Sequence, residues 1–248
     1  MRLDLATWPE VEAYLKATPG IIIPTGSTEQ HGPMGLIGTD AICAQQIAEG
    51  AADITKAYVA PTIAYTPAPF NTGFPGTLSV SEPLFEALVG EILEGLVQQG
   101  FEFVYFLNGH GANLAPLKRT AQNLEGATIR IRSWWEFDAV NALRDEYYGD
   151  WEGMHATPSE VAITQATHRT IAPGSAATPP KKLSAKYIRE HLGDRHAPPD
   201  QHRKQFPDGR VGSHSALASP ENGRTLMSAA VMALANDYLN LLESNQNS

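Results

Sequence analysis

Phe101-Glu102-Phe103-Val104-Tyr105-Phe106-Leu107, followed at once by Asn108-Gly109-His110-Gly111-Ala112-Asn113, is the stretch that decides the fold. All of its first seven residues but Glu102 are apolar, so it leaves no face for water, as a strand covered on both sides requires. Immediately upstream, Ser81 to Gln99 predicts a helix. Ser81 can cap it, Pro83 falls in the first turn where a missing N–H costs nothing, and Gly100 stands where a helix stops. Leu84, Leu88, Ile92 and Leu96 form its expected apolar stripe, with Phe85, Val89 and Leu93 beside them.

Working outward, the same alternation recurs. Gly20-Ile21-Ile22-Ile23-Pro24 is β-branched and bounded by Gly and Pro, a buried strand. Asp40 to Gly50 reads as a helix capped by Thr39 or Asp40 and ended by Gly50. Tyr58 to Ile63 is a second strand, with Pro61 placing it at an edge or falling near its end. Leu114 to Leu124 is helical, and Thr128-Ile129-Arg130-Ile131 gives a further strand. A last helix from Ser219-Pro220-Glu221 to about Leu242 offers Leu226, Ala229, Ala230, Met232, Ala233, Leu234, Tyr238 and Leu241 to the sheet. Strands alternating with helices imply an α/β fold in three layers, a mostly parallel sheet flanked by helices. No period repeats. Residues 170–222, with Pro179-Pro180 and Pro198-Pro199, read as an extended excursion, so a single domain over residues 1–248 is expected.

Composition narrows the partners. The 248 residues carry 18 basic and 27 acidic side chains, a formal net charge of −9, which is the wrong sign for neutralising nucleic-acid phosphates. No apolar run is long enough for a membrane helix, and Met1-Arg2-Leu3-Asp4 lacks the apolar core of a signal peptide. One cysteine, Cys43, points to no disulfide. The expectation is a cytoplasmic protein without nucleic-acid or membrane partners.

Residues able to hold metals collect where strands end, the edge at which such sheets bind ligands. Glu29 and His31, two apart, share one side of an extended segment, and Gly32, Pro33, Gly35 and Gly38 let the loop return Asp40 toward them at a helix start. Alone, Glu-x-His is more often a turn-rich loop with a surface histidine. His110, framed by two glycines after the central strand, is either the tip of a tight turn or a ligand. Trp151-Glu152-Gly153-Met154-His155-Ala156-Thr157-Pro158-Ser159-Glu160 places Glu160 in a first helical turn, where a carboxylate ordinarily complements the dipole, with His155 just before it. Together, three His, two Glu and one Asp make the oxygen and nitrogen set that a pair of divalent cations needs.

These motifs, Ser27-Thr28-Glu29-Gln30-His31-Gly32-Pro33, Gly38-Thr39-Asp40, Asn108 to Asn113 and His155 to Glu160, together with Phe74-Pro75-Gly76-Thr77-Leu78-Ser79, resemble the creatininase (creatinine amidohydrolase) family. The likeness runs from about residue 20 to 165 and returns at Gly209-Arg210-Val211-Gly212 and Glu221-Asn222-Gly223. It implies a creatininase-like fold and a metal-dependent hydrolase that uses a two-metal-activated water on a small, cyclic amide. Asp40 would bridge the metals, with Glu29 and His110 completing one site and His31 and Glu160 the other. Zinc is the expected metal, with manganese an alternative at the first position. His155 would be the acid/base residue. Trp151, with Trp134 or Trp135, would wall the substrate pocket, and Ser79 would touch substrate. Creatinine, a formylamino-pyrimidine nucleotide and a peptide are the substrates the resemblance admits, with a non-catalytic metal-dependent scaffold as the rival of another class. It also implies a homo-oligomer, a hexamer built from dimers. One departure stands out: Ala112 occupies the position where creatininase itself carries a glutamate supporting the first metal.

Overall fold

A computed structural model describes residues 1–246, with side chains through residue 243. In chain order its main elements are α1 (Trp8–Leu15), β1 (Gly20–Thr25), α2 (Thr39–Thr55), β2 (Tyr58–Val59), α3 (Glu82–Gln98), β3 (Phe103–Asn108), α4 (Leu114–Gln122) and β4 (Thr128–Ser133). There follow α5 (Asp138–Tyr147), α6 (Pro158–Thr167), α7 (Ala185–Glu190), α8 (Pro199–Gln205) and α9 (Pro220–Gln246). The four strands form one parallel sheet in the order β2-β1-β3-β4. The expected three-layer α/β architecture is therefore present, with the short, Pro-limited β2 at an edge.

Alternation along the two central strands sorts their side chains into two cores. Ile21, Ile23, Val104 and Phe106 pack with Phe85, Val89, Leu93 and Leu96 of α3. Ile22, Tyr105 and Leu107 face the other way, into a core built from α2, α5, α6 and α9. Every residue of β1 and β3 is buried, the pattern that an unbroken apolar run predicts. Tyr105 donates to Asp237 at 2.6 Å, and Arg130 pairs with the same carboxylate at 2.8 Å, tying α9 to the sheet. No helix among the described residues is long and apolar enough to cross a membrane.

Three expectations about helices need correction. Gly50 does not end α2, which continues to Thr55 and stops at Lys56 in a left-handed conformation. Gly50 serves packing instead, since a Cβ there would press on Val231 of α9 at 2.7 Å. In α3, Ser81 caps as expected, accepting from the amide of Leu84, but the buried stripe is one residue out of phase. Leu84 and Leu88 are exposed, and Phe85, Val89, Leu93 and Leu96 point inward. In α9, Met232 turns to solvent, whereas Leu226, Ala230, Leu234, Tyr238 and Leu241 are buried.

Candidate metal centre

The site is assembled at the carboxyl edge of the sheet. Asn108, the last residue of β3, binds three strand ends together. Its side-chain amide donates to the His110 carbonyl at 2.7 Å and to Ser133 at the end of β4. Its oxygen accepts from Thr25 at the end of β1, from the His110 amide and from Asn113. Gly109 then lies so close beneath α2 that a Cβ would collide with the Asp40 carbonyl oxygen. That approach, open to glycine alone, brings the first turn of α2 onto the strand ends and sets Asp40 between two histidines.

Asp40 turns its oxygens to opposite sides. Oδ1 lies 2.8 Å from His31 Nε2, and Oδ2 lies 3.1 Å from His110 Nδ1. Glu29 Oε1 is also 3.1 Å from His110 Nδ1, while its other oxygen accepts from Asn71 at 2.9 Å. Glu160 Oε1 stands 3.8 Å from His31 Nε2. Two sets of converging donor atoms result, Glu29–Asp40–His110 and His31–Asp40–Glu160, each with its ligand atoms within 4.8 Å of one another. A third set, Glu29–His31–His155, overlaps both.

The donor chemistry fits cations. Glu29 Oε1 and Asp40 Oδ2 are buried, and neither makes an aligned hydrogen bond among the described residues. Orphaned carboxylate oxygens of this kind carry a heavy desolvation cost without a positive partner. The histidines are oriented from behind: His110 Nε2 lies 2.9 Å from the Pro67 carbonyl, and His31 Nδ1 lies 3.1 Å from the Glu29 carbonyl. A carbonyl only accepts, so each of those nitrogens carries the proton and the opposite nitrogen is free for a ligand.

On protein groups alone, protons take up this charge. Burial opposes it, yet the carboxylates of Asp40, Glu160 and Glu29 raise the His31 pKa to about 10. His110 is likewise raised well above its ordinary value, against burial, by Glu29 and Asp40. Asp40 is lowered to about 2, against burial, by the two histidines. Burial pushes Glu160 up to about 8, with the Asp40 charge adding to it. His155 moves the other way, down to about 3, through burial and the neighbouring His31. Its ring lies 4.5 Å from that of His31, its Nδ1 is 3.7 Å from Glu29 Oε1, and its Nε2 lies 2.7 Å from the Gln30 carbonyl. Ala156, which follows it in a left-handed conformation with φ of 58°, turns the chain from His155 into α6.

A cavity of about 360 Å³ opens onto Asp40, His110, His155 and Glu160, walled by Trp134, Trp135, Arg144 and Met154. Both Trp134 and Trp135 therefore stand at the cavity. Ser79 and Trp151 are not part of its lining among the described residues. The Ser79 hydroxyl accepts from the amide of Ala68, beside the Pro67 carbonyl that orients His110. The Trp151 ring packs edge-on against His214 at 5.6 Å, with Lys182 Nζ 4.5 Å above it.

Sequence reasoning missed Asn71, which holds Glu29, and the whole contribution of the excursion. The turn after α7 carries Asp194, whose Oδ2 accepts from the Ala112 amide at 3.1 Å and lies 3.7 Å from His110 Nδ1. The spacing Asp194, His196, His202 in a segment otherwise poor in pattern was the available signal. His196 and His202 are buried beside Phe70, whose ring lies 6.4 Å from that of His110.

A parallel sheet whose carboxyl edge gathers three histidines and three carboxylates under a small aromatic-walled cavity defines an α/β protein built like a cation-dependent hydrolase. The chain belongs to the creatinine amidohydrolase (creatininase) family, a family of hydrolases acting on C–N amide bonds, whose model matches residues 4–237. It is 31% identical over 186 residues to a mycofactocin precursor peptide peptidase of Mycolicibacterium smegmatis, covering 71% of this chain and 73% of that one. It is 37% identical over 151 residues to a 3-dehydro-scyllo-inosose hydrolase of Thermotoga maritima, covering 59% of this chain. The match spans about half of that relative, 47% of its length. Among solved structures, one described as creatininase Mn superposes with a TM-score of 0.79 at 19% identity over 97% of this chain and 98% of its own. A second, an E122Q mutant creatininase of Zn-Zn type, gives 0.75 at 20% identity over 97% and 98%.

Proposed function

We propose that the chain is a binuclear metal-dependent amidohydrolase that cleaves the C–N bond of a small, cyclic amide, with creatinine the first substrate to test. The observation that carries this reading is the division of Asp40 between His31 and His110, which makes it the natural bridge between two cations. Glu29 and His110 would complete one subsite, and His31 and Glu160 the other. Zinc is the expected cation, with manganese an alternative at the Glu29–Asp40–His110 subsite; solved relatives described as Mn and as Zn-Zn forms support that choice. When bound, divalent cations there lower the pKa of water and polarise an amide carbonyl.

The protein's own groups supply the rest. In the metal-free protein, burial, with the charge on His31 adding to it, lowers the His155 pKa to about 3, and burial by itself favours the neutral ring. Its Nε2 lies 2.7 Å from the Gln30 carbonyl and 3.0 and 3.2 Å from the side-chain amides of Gln30 and Asn71; in the tautomer that gives the Nε2 hydrogen to that carbonyl, Nδ1 can take a proton and pass it to the departing nitrogen. Trp134 and Trp135 give a planar substrate a surface to stack on and keep water away from it. The cavity volume suits a small molecule. Among the basic residues that could hold a phosphate, Arg132, Lys181 and Lys182 do not line it, and Arg144, which does, is paired with Glu152.

A second reading, a peptidase, is favoured by the Mycolicibacterium relative, which aligns over most of its length. The proposal extends to one metallohydrolase unit over residues 1–248, working as a cytoplasmic homo-oligomer, hexameric by resemblance, without nucleic-acid or membrane partners.

The test is an activity panel on metal-loaded protein, comparing creatinine, a formylamino-pyrimidine phosphate and short peptides, with Asp40→Ala as control. Turnover of creatinine that is lost in D40A is the expected result. Turnover of peptides alone would establish the second reading. Tight cation binding with no hydrolysis would make the chain a metal-dependent scaffold, and failure to bind any divalent cation would remove the whole scheme.

A further inference from the structure

We propose that Gln30, which stands between the ligand candidates Glu29 and His31, is a positioning residue for both halves of the centre. Through Asn71 its side chain turns Glu29 toward the cation, and with its own carbonyl it keeps His155 in the tautomer whose Nδ1 is free. The inference rests on the metal centre proposed above and names what aims its working groups.

Two backbone groups dictate the direction of the network, because neither can be turned round. The Gly32 amide donates to Gln30 Oε1 at 2.8 Å, and the Gly209 carbonyl accepts from Gln30 Nε2 at 3.0 Å. The buried Gln30 amide therefore has one orientation only. Its second Nε2 hydrogen goes to Asn71 Oδ1 at 2.7 Å, which leaves Asn71 Nδ2 to donate to Glu29 Oε2 at 2.9 Å. Glu29 is thus held by one oxygen, and Oε1, the atom 3.1 Å from His110 Nδ1, is left for a cation. Gly209 admits the arrangement with φ of 84°, for a Cβ there would collide with the Gln30 amide.

The same count of hydrogens settles His155. Both Nε2 hydrogens of Gln30 are spent on carbonyl oxygens, so its 3.0 Å approach to His155 Nε2 is not a donated bond. Asn71 Nδ2, with one hydrogen to spare, lies 3.2 Å from the same ring nitrogen. Accepting that hydrogen would set the ring's lone pair against the Gln30 carbonyl oxygen, only 2.7 Å away. Nε2 therefore carries the hydrogen, and Nδ1, 3.7 Å from Glu29 Oε1, does not. A residue that only filled this space would need its shape and not its amide.

Gln30→Met keeps the length and removes the amide. Zinc-loaded wild type, Q30M, His155→Gln and the doubly substituted protein are compared by metal affinity, by nitrogen NMR of histidine-labelled protein, and by turnover of the amide that the panel above identifies. The wild-type His155 signals, assigned by their loss in H155Q, should show a protonated Nε2 and a bare Nδ1. In Q30M both tautomers should appear. Its kcat should fall about 10²-fold with KM unchanged, and Q30M should add little to H155Q, because Gln30 acts through that ring. Asn71→Asp can still accept from Gln30 but cannot donate to Glu29. It should weaken one cation about tenfold and leave the tautomer as it is. A protonated Nδ1 in wild type, or additive losses in the double variant, would overturn the role of Gln30 at His155. Wild-type cation affinity in both Q30M and N71D would overturn its role at Glu29. A wild type that binds cations and hydrolyses no amide would sink the proposed activity alone, since spectra and affinities still decide on Gln30. A wild type that binds no cation would overturn the centre and this role with it.

Discussion

Thr157 and Glu160 hold each other at both ends of their span: Thr157 Oγ1 accepts from the Glu160 amide at 3.3 Å, and Glu160 Oε1 accepts from the Thr157 amide. The same Oε1 faces His31 Nε2 at 3.8 Å, so one atom starts helix α6 and serves the site. Glutamine satisfies a capping box as well as glutamate does. Glu160→Gln should therefore fold with wild-type stability when metal-free, yet lose the cation of the His31 subsite. Glu160→Ala should lose that cation and about 1 kcal/mol of stability besides. Thermal unfolding of the metal-free variants, with metal analysis alongside, checks both halves.

Asp40→Asn keeps the shape of the side chain and removes the charge that both histidines share. Both cations should be released, because each subsite draws on this residue. The loss of about 4 kcal/mol of electrostatic stabilisation corresponds to a turnover lower by about 10³-fold. Metal stoichiometry and steady-state rates decide it; retention of either cation at full affinity would show that Asp40 is not the bridge.

Gly109→Ala tests the close approach that seats Asp40. A methyl group would meet the Asp40 carbonyl oxygen, which belongs to helix backbone and cannot swing aside. Overpacking of this kind costs about 1–3 kcal/mol. Chemical denaturation should show that loss, and the surviving native protein should bind both cations more weakly because Asp40 is displaced.

These sites were unequally legible. Ile21-Ile22-Ile23 and Phe103 to Leu107 announced buried parallel strands because both faces of each are covered, leaving no polar residue to blur the run. The ligand candidates could be read because they sit within a few residues of those strand ends. The phase of α3 could not: leucines occur all round it, and burial depends on how the helix is rolled on the sheet. Gly50 looked like a terminator because sequence cannot show Val231 packed against it. Asp194 was invisible for a related reason. It reaches His110 from 84 positions along the chain, out of a Pro-rich segment whose path follows from tertiary packing on Phe70 and the Ala112 amide.

His202 supplies a pH prediction. It is buried, with neither ring nitrogen hydrogen-bonded among the described residues, between Phe70, Phe206 and His196. Burial and His196 lower its pKa to about 4, although Glu29 and Asp194 oppose them. The folded state thus prefers the neutral ring. The stability this group contributes is present above its unfolded pKa of about 6.5 and is lost as pH falls toward 4. In metal-free protein, His202→Gln should flatten the decline in unfolding free energy between pH 6.5 and 4, while His155 continues to act in both proteins. Parallel curves for the two would show that His202 is not titrating there.

Arg144 and Glu152 pair at 2.9 Å with side chains only 18% and 11% exposed, where α5 meets the cavity. Ser159 donates to the same glutamate oxygen, and Asn141 accepts from the guanidinium at 2.7 Å. The other glutamate oxygen has no hydrogen-bond partner among the described residues, so Arg144 and Ser159 are what compensate this half-hidden carboxylate. Arg144→Met should cost about 3 kcal/mol, because it strands that charge. Glu152→Met should cost less, since the arginine stem can turn its head toward the water-accessible cavity. Removing both partners should recover most of the first loss, as replacement of a buried pair by apolar side chains usually does. A double-mutant cycle by urea denaturation measures the coupling directly. Additive losses would mean that the two groups are solvated independently, and the pair would then be no more than a rim contact of the cavity.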